Sequence, residues 1–281
     1  MFPKSFVQLI VVLFFPACVV LAEIRPAPRQ WQVDDIARDA LVYVPADAKT
    51  SPRPVVFAFH GHGGTMMQAA RSFSYHTHWP DAIVVYMQGL KTPGKITDPE
   101  GKKPGWQHGL GDQSDRDLKF FDVVLASLQS DYQVDSSRIY STGHSNGGGF
   151  TYLLWENRGD LFAAMAPSSA VSSDGWKSLR AKPALHLAGK SDPLVKYEWQ
   201  EKMMNVIRKL NGCETIGTPW ETSGTLEGTV FASPSGTPFV TLIHPGAHEF
   251  PREAPALITK FFQEHIQEHI QEKAAKLQVD K

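Results

Sequence analysis

The chain has 281 residues, long enough for one large domain with a substantial core, and its 28 Lys and Arg against 29 Asp and Glu leave a formal charge of −1. That balance gives no electrostatic basis for holding a nucleic-acid backbone. Two cysteines, Cys18 and Cys213, are too few for a knotted scaffold or an all-cysteine zinc site.

In chain order, Met1-Phe-Pro-Lys4 and the apolar run from Phe6 to Leu21 have the basic start and hydrophobic centre of a secretory signal. Val20-Leu-Ala22 offers small residues for cleavage before Glu23. The run is short for a membrane span and gives way to Ile24-Arg-Pro-Ala-Pro28. The expectation is therefore a removed signal over 1–22, a secreted or periplasmic protein, no stable membrane insertion, and a single catalytic domain over 23–281. A lipid-attachment role for Cys18 is the competing reading, but Phe15-Pro-Ala17 before it fits that pattern poorly. Without the leader, Cys213 stands alone, and stability has to come from packing rather than an internal disulfide.

Apolar, β-branched runs then alternate with helical stretches. Strands are predicted at Ala40 to Val44, Val55 to Phe59, Ile83 to Met87, Arg138 to Ser141, Leu161 to Ala166, Ala184 to Ala188 and Phe239 to Ile243. Several are apolar throughout, as strands covered on both faces must be. Leu118, Phe121, Val124, Leu125 and Leu128 recur at helical spacing between Asp117 and Tyr132, and Val195 to Leu210 reads as another helix. The alternation predicts an α/β fold, a mostly parallel central sheet with helices on both faces. Gly89 to Gln113 is a long Gly-, Pro- and Lys-rich connection. Gly224 to Val240 reads as a hairpin turned at Ser233-Pro-Ser-Gly236, inserted before the last strand. A four-residue repeat over Gln263 to Glu272 puts Ile266 and Ile270 on one face and reads as the end of the last helix.

The chemistry centres on Ile139-Tyr-Ser-Thr-Gly-His-Ser145-Asn-Gly-Gly-Gly149. It reads as a strand delivering Ser145 to a sharp turn before a helix, with Gly143 and Gly147 completing Gly-x-Ser-x-Gly. A serine hydroxyl becomes a nucleophile only with a base beside it. The strand ending at Ala188 runs into Gly189-Lys-Ser-Asp192-Pro193, and that ending at Ile243 into His244-Pro-Gly-Ala-His248. Ser145 is accordingly assigned as nucleophile, His248 as general base and then acid, and Asp192 as the group orienting the imidazole. Asp192 could instead only cap the helix that follows, Asp174 is the reserve acid, and His244 competes with His248. The glycine-rich His60-Gly-His-Gly-Gly64 turn after another strand offers backbone donors, so the oxyanion hole is assigned to the N–H groups of His62 and Asn146, with Gly63 in reserve for His62.

Histidines also invite a metal reading, through His60 with His62, His76 with His78, and His265-Ile-Gln-Glu268-His269. The last match is generated by the repeat itself, and a catalytic zinc wants a third ligand and a buried pocket. No metal and no cofactor is expected.

With these elements located, the chain resembles the secreted esterases of the polyhydroxybutyrate depolymerase and feruloyl esterase superfamily, also grouped with family-one carbohydrate esterases. The resemblance runs from about Ala40 to the last helix. It rests on His60-Gly-His-Gly-Gly64, Phe121-Asp-Val-Val124, Tyr132-Gln-Val-Asp135-Ser-Ser-Arg138-Ile-Tyr140, Gly143-His-Ser-Asn-Gly-Gly148 and Gly246-Ala-His-Glu-Phe-Pro251. It implies the α/β-hydrolase fold and hydrolysis of an ester substrate, polysaccharide- or polyester-linked, by Ser145, Asp192 and His248. Trp106, in Pro104-Gly-Trp106, resembles an aromatic residue that lines the substrate cleft in such enzymes, while a lone loop tryptophan reads equally as a packing plug. The family often has Gly-Gly-His-x-Trp-Pro where this chain has Gly246-Ala-His-Glu-Phe-Pro251, and many members carry disulfides that this chain cannot form. A serine peptidase using the same triad, and a non-catalytic binding protein on the same scaffold, are the alternatives.

Overall fold

Short segments buried on both faces dictate a layered arrangement, because each must be covered from two sides. The structure, a computed structural model, describes residues 25–173 and 176–266. Its elements run β1 (Ala27–Val33), β2 (Ile36–Tyr43), β3 (Arg53–Phe59), α1 (Met66–Phe73), α2 (Tyr75–His78), β4 (Ile83–Met87), β5 (Leu90–Lys91), β6 (Pro104–Gly105), α3 (Arg116–Asp131) and β7 (Val134–His144). They continue with α4 (Asn146–Arg158), β8 (Ala164–Ser168), β9 (Ala184–Gly189), α5 (Tyr197–Leu210), β10 (Thr218–Ser223), β11 (Leu226–Phe231), β12 (Phe239–His244) and α6 (Ala254–Gln263).

Ten strands form one sheet in the order β1-β2-β4-β3-β7-β8-β9-β12-β11-β10. The centre from β4 to β12 is parallel, and both edges are antiparallel. Strand β3 illustrates the packing. Val55, Phe57 and Phe59 point into a core shared with Phe121 of α3, Phe150 of α4 and Ile207 of α5. Val56 and Ala58, on alternate positions, face Phe73 of α1 and Ile258 and Phe261 of α6. The helices thus divide between the two faces, and each large side chain sealed there contributes about 1.5–3 kcal/mol of hydrophobic free energy. Because the parallel strands share one direction, the carboxyl ends of β3, β7, β9 and β12 open on one rim.

Several boundaries differ from the sequence reading. Strands β1 and β10 went unforeseen; their burial patterns are mostly exposed, and edge strands carry a weak apolar signal. Strand β8 begins at Ala164, because Gly159–Leu161 forms a 3₁₀ turn. The Ser233 to Gly236 turn exists, with Gly236 N–H donating to Ser233 O at 3.0 Å, but it joins β11 directly to β12. The hairpin therefore includes the last strand instead of preceding it, and a second hairpin, β10 to β11, turns at Gly224. Helix α6 stops at Gln263, where the four-residue repeat begins, and Ile266 lies outside any helix. Ile270, the signal over 1–22 with Cys18, the reserve acid Asp174 and His269 lie outside the described residues.

Candidate active site

A sharp turn in the rim follows β7. Ser145 has φ 56° and ψ −121°, a left-handed conformation rare for a residue with a side chain, and α4 begins immediately after it. Gly143 and Gly147 make the turn sterically possible. A Cβ on Gly143 would overlap the Gly147 carbonyl, and one on Gly147 would overlap the carbonyls of Phe59 and His60. Strand β3 and the elbow therefore pack backbone to backbone, and Ser145 is left half-buried with its hydroxyl facing the rim.

Loops after β9 and β12 bring the other two residues to it. The Ser145 hydroxyl donates to His248 Nε2 at 2.7 Å, and His248 Nδ1–H donates to Asp192 Oδ2 at 2.7 Å. The Asp192 side chain is fully buried, and a charge there requires several donors. Besides His248 it accepts the N–H groups of Leu194 and Val195 at 2.9 Å each and the Gln200 amide at 3.2 Å. Asp192 thus shapes the 192–195 turn as well as meeting His248, whereas the residue capping α5 is Lys196. That turn is also why α5 begins at Tyr197 and not at Val195.

His244 takes another place. It is buried, its Nδ1 accepts the Gly246 N–H at 3.2 Å, and it braces the turn that presents His248. His144 packs its ring 4.9 Å from the His248 ring, and burial holds it down to about 3. His60 is likewise held to about 4 by burial, and its neutral ring is fully used: Nδ1–H donates to Gly61 O at 2.7 Å while Nε2 accepts the Gly89 N–H at 3.0 Å.

Of the backbone donors named from the sequence, Gly63 N–H is committed to Pro104 O at 2.6 Å, which removes it as a reserve. His62 and Asn146 both line a cleft of about 310 Å³ together with Ser145. The side chains of these two residues are bound by the long connection after β4. His62 Nε2–H donates to Asp98 Oδ2 at 3.0 Å, and Asp98 also accepts the N–H groups of Lys102 and Lys103. The hydrogen bond from His62 holds the Asp98 carboxyl down to about 2. Asn146 exchanges two hydrogen bonds with the Trp106 backbone, accepting at 2.7 Å and donating at 3.1 Å.

For Trp106 the packing alternative holds and the cleft assignment is corrected. It is 0% exposed, stacks on Phe150, meets Phe59 edge-on and donates its indole N–H to His60 O at 2.8 Å. It is a core residue under the 60–64 turn and forms no part of the cleft wall. The wall is built from Ile96, Val171, Leu194 and Trp199, the last 46% exposed. Trp199 was missed because an outward tryptophan on an amphipathic helix carries no local sign that a cleft lies beside it.

Of the histidine pairs, His60 is bound as above and His76 Nδ1 meets Tyr86 OH at 2.8 Å. Among the described residues no three His, Cys, Asp or Glu side chains are grouped to hold a metal ion. Likewise, among those residues, no helix is long and apolar enough to cross a membrane.

Residues 36–156 match the acetyl xylan esterase family profile, and residues 105–211 match that of the prolyl oligopeptidase family. The first spans the 60–64 turn and Ser145, the second Ser145 and Asp192; neither reaches His248. The feruloyl esterase C of Emericella nidulans is 26% identical over 71% of this chain and 72% of its own length. The bifunctional acetylxylan esterase/xylanase of Neocallimastix patriciarum is 27% identical over 63% of this chain but only 24% of its own length, and a feruloyl esterase C homologue from Aspergillus flavus is matched over 66% of its length. The chain therefore spans about a quarter to two thirds of the length of these last two. Among solved structures, the acetyl xylan esterase of Aspergillus awamori superposes with a TM-score of 0.63 at 17% identity, covering 84% of this chain and 99% of its own. Together with the sheet order, these likenesses show the α/β-hydrolase fold, which this chain shares with relatives named as esterases.

Proposed function

We propose that this α/β-hydrolase is a serine carboxylesterase in which Ser145, His248 and Asp192 form the catalytic triad and the backbone N–H groups of His62 and Asn146 form the oxyanion hole. The observation that carries the reading is the continuous hydrogen-bonded path from Ser145 through His248 to Asp192, 2.7 Å at each step, beside the cleft. As the Ser145 oxygen attacks the ester carbonyl, His248 Nε2 takes its proton and the carbonyl oxygen becomes an oxyanion facing the two backbone donors. Each such donor contributes about 3–4 kcal/mol to the transition state. The tetrahedral adduct collapses as His248 returns the proton to the leaving alcohol, and a water repeats the sequence to release the acid and free Ser145. Asp192 keeps Nδ1 protonated so that Nε2 faces the serine, and stabilises the transient imidazolium.

The substrate class in this reading is feruloyl or acetyl esters of plant polysaccharide, or short hydroxyalkanoate esters. The names of the relatives support the first two, and the apolar wall with its exposed Trp199 indole suits a flat aromatic acyl group over acetyl. Export is part of the proposal, on the strength of the apolar run from Phe6 to Leu21 and the small residues that follow it.

The test is covalent labelling by an organophosphonate together with turnover of p-nitrophenyl acetate, followed by methyl ferulate, acetylated xylan and hydroxybutyrate oligomers. Folded protein that is neither labelled nor active would sink the reading and leave a binding protein on a hydrolase scaffold. A serine peptidase is the second reading, favoured by the prolyl oligopeptidase match over 105–211. Matched ester and amide substrates separate the two.

A further inference from the structure

Behind the acid lies a line of buried polar side chains that the reaction as written does not use. Gln200 on α5, His186 on β9 and Tyr152 on α4 are each 0% exposed. The Gln200 amide nitrogen donates to Asp192 Oδ2 at 3.2 Å and to Val195 O at 2.7 Å. Its Oε1 lies 3.0 Å from His186 Nε2, and His186 Nδ1 lies 2.8 Å from Tyr152 OH.

The direction of every one of these bonds is fixed by elimination. A carboxylate and a carbonyl can only accept, so Gln200 must turn its NH₂ to Asp192 and Val195 and its oxygen to His186. His186 Nε2 therefore carries the proton, its Nδ1 is a lone pair, and Tyr152 must donate to it. Burial supports the neutral states, holding His186 down to about 4 and raising the Tyr152 phenol. From the other side, Ser145 donates to His248 and His248 donates to Asp192. All hydrogens along the line point toward one carboxylate. Tyr152, the far end of the line, stands two turns along the helix that Ser145 opens.

We infer that Tyr152, His186 and Gln200 form a polarised relay that positions the Asp192 carboxylate for His248, with Gln200 as the positioning residue in direct contact. The inference rests on the triad reading. Its physical content is that a buried carboxylate holds its orientation only as far as its donors do, and partners one bond removed from a catalytic group are worth about 10–100-fold in activity. Gln200 fixes Oδ2, the oxygen that also receives His248, while Leu194 and Val195 fix Oδ1. The influence decays with each step away from the acid. The other titratable groups facing the pair are His144 from the elbow and His244 from β12, with Glu249 beyond it at 3.6 Å.

The experiment compares Gln200→Leu, Gln200→Glu and Tyr152→Phe in the full chain, using p-nitrophenyl acetate turnover across pH and the low-field Nδ1 proton resonance of His248 without substrate. Gln200→Leu lowers kcat by about 10–100-fold with little change in KM, and Tyr152→Phe lowers it only about twofold. Gln200→Glu sets a second carboxyl against Asp192; two carboxylates that close cannot both ionise, so the pair shares one proton, and the altered charge on Oδ2 moves the acid limb of kcat/KM away from its wild-type position. The His248 resonance shifts in both Gln200 variants and least in Tyr152→Phe. If Gln200→Leu does not fold, the other two variants carry the test. Folded Gln200 variants with wild-type kcat, acid limb and resonance overturn the relay, as does an equal loss in Tyr152→Phe and Gln200→Leu. A parent protein that turns over no ester defeats the esterase reading instead, while the resonance still reports on Asp192 and His248.

Discussion

On the elbow side of the site, Ser145 is held by shape: a positive φ and two glycines whose missing side chains let the β7 turn lie against the carbonyls of β3. On the acid side, Asp192 and His248 sit on longer loops and are held by hydrogen bonds from Leu194, Val195, Gln200 and the His244-braced turn. Both arrive at 2.7 Å geometry, but by forces that fail differently. Backbone overlap has no soft alternative, so the elbow fails by not folding. A lost hydrogen bond costs one or a few kcal/mol, so the acid side fails by losing orientation inside an intact fold.

Substitutions and one titration sharpen that contrast. Removing the proposed nucleophile has the largest effect: Ser145→Ala lowers kcat by roughly 10⁵-fold or more while the thermal midpoint stays near wild type. Ser145→Gly is equally inactive yet more stable by about 1 kcal/mol, because glycine relieves the positive φ. A Ser145→Gly protein no more stable than Ser145→Ala would argue against a strained elbow. Asp192→Asn follows, with kcat down roughly 10³–10⁴-fold and a native circular dichroism spectrum, since the imidazole loses its orienting carboxylate. By contrast, Gly147→Ala costs about 4 kcal/mol or more of folding free energy, read from denaturant melts, and any residual folded fraction should retain organophosphonate labelling.

Acid melts probe what the two sides share. His60 under the elbow and His186 behind the acid are both held neutral to about 4 by burial. Unfolded, each takes a proton near the ordinary value of about 6.5, so stability is flat above that pH and falls as pH drops from there to about 4. Each contributes about 1.4 kcal/mol per pH unit to the slope. His60→Gln and His186→Gln should each flatten the curve; an unchanged slope in either would place that ring in contact with water. Asp98 shifts in the same direction over a lower window: its folded value lies below the unfolded one, so what its contact with His62 adds is full above about pH 4 and is lost as pH falls toward about 2.

The smallest predicted effect lies on the cleft wall. Trp199→Ala raises KM for methyl ferulate about tenfold, equivalent to roughly 1.4 kcal/mol of lost ring contact, and leaves p-nitrophenyl acetate unchanged. Equal effects on both esters would mean that Trp199 acts through the neighbouring Asp192 turn.

Much of this arrangement was legible along the chain. The seven predicted strands, the strand–turn–helix around Ser145, the chain order Ser145, Asp192, His248 and the glycine turn at His60 to Gly64 all rest on local features: β-branched runs, glycine spacing and strand ends. Backbone stereochemistry acts over a few residues, so a few residues suffice to announce it. What the sequence left undecided concerns partners far apart in the chain. Trp106 was read onto the cleft and lies in the core, Trp199 stands where it was expected, and Gln200, His186 and Tyr152 gave no sign that they meet. Helical and strand periodicity tell which way a side chain faces relative to its own element, whereas hydrogen-bond partners and cleft walls are set by how separate elements cross. Only the packing of α4, β9 and α5 around one carboxylate could decide that.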